Sequence, residues 1–136
     1  MENLKSVLEN TFFQKDFLVQ PFIKNIKSEG EFSLIYFGNR LSHVLLKTPK
    51  NGDFRVQEEH GGILKAINKP KSSLIDFGNK VMGTIPHQCL YSRVDVVRGG
   101  DNYLLMEVEL IEPSLYFNMD PKSPQMFAEV FNKWHG

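Results

Sequence analysis

Residues 91–113 read Tyr-Ser-Arg-Val-Asp-Val-Val-Arg-Gly-Gly-Asp-Asn-Tyr-Leu-Leu-Met-Glu-Val-Glu-Leu-Ile-Glu-Pro. Two runs of β-branched, aromatic and other apolar residues flank Arg98-Gly99-Gly100-Asp101-Asn102, which is the composition of a β-hairpin turn. Side chains alternate along a strand, so Arg93 and Asp95 share one face, as do Glu107 and Glu109 on the partner. A hairpin centred on Asp101 sets Asp95 opposite Glu107 and Arg93 opposite Glu109. Three carboxylates and one guanidinium then gather on one patch. Opposed carboxylates repel unless a cation stands among them. One reading of the patch is a divalent metal site for Mg²⁺, since Asp95, Glu107 and Glu109 offer hard oxygen ligands. The other is a solvated strand face on which Arg93 pairs with Glu109. Spacing leaves both open, and a one-residue slip in register would part the groups.

The rest of the chain supplies a body for that hairpin. Its 136 residues are the size of one domain, and 41% hydrophobic and 12% aromatic content is that of a globular protein. Sixteen basic and sixteen acidic residues cancel, which gives no field to draw nucleic acid or an anionic membrane. No apolar run approaches the ~20 residues of a membrane span. The N-terminus lacks the apolar core of a signal peptide. A single cysteine, Cys89, makes no internal disulfide and suits a reducing compartment. These features point to the cytoplasm.

In chain order, Leu4, Val7 and Leu8 predict a short amphipathic helix over residues 2–11. Residues 17–23 predict a strand interrupted by Pro21, hence an edge strand. Ser28-Glu29-Gly30 predicts a turn into a second hairpin, with arms 31–37 and 41–47 joined at Gly38-Asn39-Arg40. Residues 48–70 show little periodicity and predict an irregular segment, in which Arg55 and Gly61-Gly62 could present a cation and free amides to an anion or simply form a surface loop. Leu74, Ile75, Gly78, Val81 and Met82 predict a helix over 71–83. After Pro121 and Pro124, the spacing of Phe127, Val130, Phe131 and Trp134 predicts a last helix. The fold class expected is α+β, one domain with an antiparallel sheet and helices packed on one face.

Taken together, the segments resemble the C-terminal half of an ATP-grasp domain, the nucleotide-binding unit of carboxylate–amine ligases. Val19-Gln20-Pro21-Phe22-Ile23 resembles the hinge strand beside adenine, and Gly30-Glu31-Phe32-Ser33 the strand whose glutamate meets the ribose. Gly52-Asp53-Phe54-Arg55-Val56-Gln57 with Gly61-Gly62 resembles the loop that carries a phosphate- or substrate-binding arginine. Arg93-Val94-Asp95-Val96 resembles the family's Arg-x-Asp strand. Glu107-Val108-Glu109 resembles its metal strand, often Glu-x-Asn. The wording is closest to the branch that contains the D-cycloserine-forming ligase.

The resemblance implies ATP and Mg²⁺ as cofactors. It implies Gln20, Phe22 and Glu31 as nucleotide-binding residues, Asp95, Glu107 and Glu109 as metal ligands, and Arg55 and Arg93 as catalytic cations. His43 and His60 are left structural, His60 being the histidine nearest the implied phosphates. No stretch before residue 17 has room for the family's preceding domain and lid. The chain is therefore expected to be a poor catalyst alone, acting on small carboxylate and amine substrates only in a complete enzyme or with a partner chain. The alternative is a non-catalytic remnant that binds a protein partner or associates with itself.

Overall fold

The computed structural model describes residues 2–13, 15–50, 52–56 and 61–134. Among them are five strands, β1 (Glu31–Phe37), β2 (Arg40–Thr48), β3 (Ile63–Ala66), β4 (Tyr91–Gly99) and β5 (Asn102–Glu109). They form one antiparallel sheet in the order β3-β2-β1-β4-β5. The α-helices are α1 (Glu2–Thr11), α2 (Asn25–Ser28), α3 (Ser72–Met82) and α4 (Ser123–Trp134). This is the expected α+β class.

Alternation on the central strand decides what each face does. Phe32, Leu34 and Tyr36 point to the core, where Val44, Val94 and Val96 join them under Leu74 and Val81 of α3. Gly78 lets α3 lie close, since a Cβ there would stand 2.4 Å from Tyr36 Oη and 2.5 Å from Leu34 Cδ2. Glu31 and Ser33 point the other way, and there the sheet carries its charges. Farther along that face, Phe37 stacks on Phe117 and meets Phe127 of α4 edge-on, so α4 packs at the Phe37 end while α3 covers the core face. These helices lie on both faces rather than the one expected.

Three local expectations change. Residues 17–23 form no strand and pair with no neighbour in the sheet. Pro21 has no N–H to give a ladder, and the segment instead runs as one wall of a cavity. Ser28-Glu29-Gly30 is the end of a one-turn helix, α2, rather than a free-standing turn; Glu29 and Gly30 N–H both bond Asn25 O. Arg98 ties this end to β4 through a bidentate pair with Glu29 at 2.8 and 2.9 Å. Within residues 48–70, Ile63–Ala66 pairs with β2 as the sheet's edge. Four residues are too few for their periodicity to stand out in the sequence.

Candidate active site

The β4–β5 register sets Asp95 opposite Glu107 and Arg93 opposite Glu109, as expected from the sequence. The route to it differs. The turn is tighter than a hairpin centred on Asp101, with Gly99 facing Asn102 and Gly100 at a φ of +66°. Met106 then stands unpaired as a β-bulge between the Glu107 and Leu105 pairs. The extra residue shifts the register by one and brings the carboxylates into line.

Beneath the patch lies a connected set of charges. Arg93 Nε bonds Asp95 Oδ2 at 2.9 Å, and Arg93 Nη2 reaches Glu107 Oε2 at 3.2 Å and also pairs with Glu109. Ser33 Oγ donates to Asp95 Oδ1 at 2.5 Å. Lys47 Nζ stands 2.6 Å from Glu31 Oε1 and 3.3 Å from Asp95 Oδ2. Lys47 and Glu31 face each other across β1–β2, and Ser33 faces Asp95 across β1–β4. Lys47 and Ser33 are not among the site residues expected from the sequence. A clue to Lys47 was the lysine that closes the otherwise apolar run Val44-Leu45-Leu46.

Burial opposes the Lys47 charge, but Asp95 and Glu31 raise the ammonium above its ordinary range, so it stays protonated. Burial likewise pushes the Glu31 carboxyl up, and Lys47 pulls it only part of the way back, so it stays raised. Gly30 makes the approach possible: its φ is +110°, and a Cβ would sit 2.4 Å from the Lys47 carbonyl oxygen.

Four carboxylates meet two cations here, which leaves a surplus of two negative charges, and the acids differ in what they can offer. Asp95 is 1% exposed, and its oxygens are taken by Ser33, Lys47 and Arg93; a metal reaches it only by displacing one of them. Glu107 and Glu109 are the outer pair, their side chains 56% and 31% exposed. Among the described residues, no three His, Cys, Asp or Glu side chains gather as a metal-binding group by themselves. The donors do fit Mg²⁺ shared with a phosphate chain, which uses one or two carboxylates and takes its other oxygens from phosphate and water.

Beside the charges opens a cavity of about 320 Å³ that includes Gln20, Phe22, Glu31, Phe54, Arg55 and Met106 in its lining. Every residue the sequence reading assigned to the nucleotide is thus in one place, with Arg55 at the same cavity. Gln20 Nε2 donates to Met106 Sδ at 3.4 Å, which joins the 17–23 wall to the bulge. Phe22 meets Phe54 edge-on at 5.9 Å, and Lys27 Nζ lies 5.5 Å from the Phe22 ring centre. Arg55 is held by Asp53, Nη2 to Oδ2 at 2.7 Å, and this guanidinium with the amides of Arg55 and Phe54 keeps the Asp53 carboxyl well below its usual range. Gln57 and His60 lie outside the described residues. His43 is on the same sheet face as Ile35 and is nearly buried, with Ser42 Oγ 2.9 Å from its Nδ1.

No protein-family model matches the sequence, and no curated protein matches it. Solved structures do match in fold. D-cycloserine synthetase DcsG superposes with a TM-score of 0.64 at 22% identity, over 84% of this chain and 41% of that one. D-alanine–D-alanine ligase from Bacillus anthracis, complexed with ATP, gives 0.65 at 19% identity over 96% and 44%. The ATP-grasp ligase PsnB, complexed with a phosphomimetic variant of its minimal precursor, Mg and ADP, gives 0.55 at 8% over 97% and 50%. What these structures share with the chain is the fold. In particular, this chain has the fold of a partial ATP-grasp domain, spanning half or less of each of these chains.

Proposed function

We propose that the chain is the nucleotide- and Mg²⁺-binding part of an ATP-dependent carboxylate–amine ligase. The observation that carries this reading is the single cavity into which Gln20, Phe22, Glu31 and Arg55 converge from separate segments, beside the Arg93–Asp95–Glu107–Glu109 patch. In the proposed roles, the Gln20–Phe22 segment offers main-chain groups to adenine while its side chains wall the pocket. Glu31 accepts from the ribose hydroxyls. Glu107 and Glu109 hold Mg²⁺ together with phosphate oxygens, over Asp95, which fixes Arg93. Bound Mg²⁺ would neutralise charge on the phosphates. Arg93, and Arg55 once released from Asp53, stabilise the negative charge that develops as the γ-phosphoryl group passes to a substrate carboxylate. An amine then displaces phosphate from the acyl phosphate to leave an amide. The rest of such an enzyme would supply the lid and the acid and amine sites, so the chain alone is proposed to bind nucleotide and to turn over poorly.

Met106 offers a direct test. In methyl-labelled methionine spectra, added ATP with Mg²⁺ should shift the Met106 resonance and leave Met119 and Met126 in place. Shifts at Met119 or Met126 with none at Met106 would put the nucleotide elsewhere and sink the assignment.

A second reading, an interaction domain, is favoured by α1. Leu4, Leu8, Phe12, Phe13 and Phe17 line an open apolar groove of about 780 Å³, and Leu18 beside it is fully exposed. Apolar surface of this kind suits association with a protein partner or a second copy.

A further inference from the structure

We propose that Lys47 sets the sugar selectivity of the nucleotide site by holding Glu31 in place from behind. The proposal rests on the nucleotide reading above. Lys47 is 5% exposed and sits in a strand whose neighbours, Val44 and Leu45, are core residues. A lysine in such a place needs a reason, because an ammonium is costly to bury unless it is paired. Its two partners are the reason: Glu31 at 2.6 Å and Asp95 at 3.3 Å. Glu31 lines the 320 Å³ cavity whereas Lys47 does not, so Lys47 acts on a ligand through Glu31 and is a positioning residue.

The geometry divides the Glu31 carboxylate between two tasks. Oε1 is taken by Lys47, and the group as a whole faces the cavity beside Gln20 and Phe22. A carboxylate fixed in this way suits the vicinal hydroxyls of a ribose, which are two donors side by side. A sugar without them leaves the buried carboxylate short of partners. Take Lys47 away and Glu31 faces Asp95 with no cation between them. The two like charges then push Glu31 out of its setting. Ser33 and Arg93 already hold Asp95, so Glu31 is the member left free to move.

Calorimetry with ATP and with 2′,3′-dideoxy-ATP, both with Mg²⁺, separates this role from a merely structural one. The wild-type chain should prefer ATP by about tenfold or more, the worth of a hydrogen bond to a charged acceptor. Lys47→Gln keeps a donor but removes the charge. Its preference should fall below about twofold, while its affinity for the dideoxy nucleotide stays within about threefold of wild type. Lys47→Arg is the second variant, for use should Lys47→Gln not fold. Its longer, forked head cannot sit where the ammonium does, so its preference should fall as well. A preference left unchanged in whichever variant folds, with both nucleotides weakened alike, would overturn the proposal. A wild-type chain that binds both nucleotides equally would overturn it too, while leaving the nucleotide reading standing. A wild-type chain that binds neither would remove that reading and this proposal together.

Discussion

Removing the Arg93 guanidinium would leave Asp95, Glu107 and Glu109 without the cation that all three share. Breaking a buried pair from one side costs about 3–5 kcal/mol. Here Lys47 and Ser33 still hold Asp95 while the outer acids meet solvent, so the loss falls toward the lower end, about 3 kcal/mol. Arg93→Met should therefore lower unfolding stability by about that much in urea melts. A loss under about 1 kcal/mol would mean that solvent, not Arg93, balances the acids. His43 makes a prediction of the opposite kind, about pH. Burial lowers its pKa, and Asp120 with the backbone at Leu115 and Tyr116 only partly offsets this. The unfolded chain thus takes up the proton first, so stability is full above about 6.5, the ordinary histidine value, and falls as pH drops through the window beneath it. His43→Gln should flatten that part of the stability–pH curve, and a curve of unchanged slope would remove His43 as its source. At this scale the acids and Arg93 were legible because charged residues at period two stand out in apolar strands. Lys47 was not, since its meaning depends on Glu31 two strands' worth of chain away.

Among the elements, the β4–β5 hairpin was legible for a reason that the sequence half concealed. An Asp101-centred hairpin and a two-residue turn followed by a bulge at Met106 give the same pairing at Asp95 and Glu107. The compensation preserves the side-chain alternation on which the site depends. Residues 17–23 misled because β-branched and aromatic content says nothing of whether a partner strand exists. Helix α3 read true from its periodicity, and Gly78 within it carries a packing constraint. Alanine is the better helix former by about 1 kcal/mol, yet its Cβ would run into Tyr36 and Leu34, which are fully buried. Overpacking of this sort costs about 1–3 kcal/mol. Gly78→Ala should therefore destabilise the protein in chemical denaturation, and a stabilised variant would show that α3 stands farther from the sheet.

For the whole molecule, the sheet has two unlike faces, one an apolar core under α3 and the other carrying Glu31, Lys47, Asp95 and Arg93 below an open cavity. The exposed groove along α1 adds a separate surface. If that groove mediates self-association, sedimentation velocity should show a concentration-dependent shift that Leu8→Glu abolishes; a strict monomer at all concentrations would count against it. Among the described residues, no helix is long and apolar enough to cross a membrane. In the proposed function, the cavity and the acidic patch together form a metal-dependent ATP site. Calorimetric titration of the chain with ATP, with and without Mg²⁺, against the Glu107→Ala/Glu109→Ala double variant, tests this most directly. Binding heat that requires Mg²⁺ and disappears in the variant is the expected result. Mg²⁺-independent heat that the variant retains, or no heat at millimolar ATP, would contradict it.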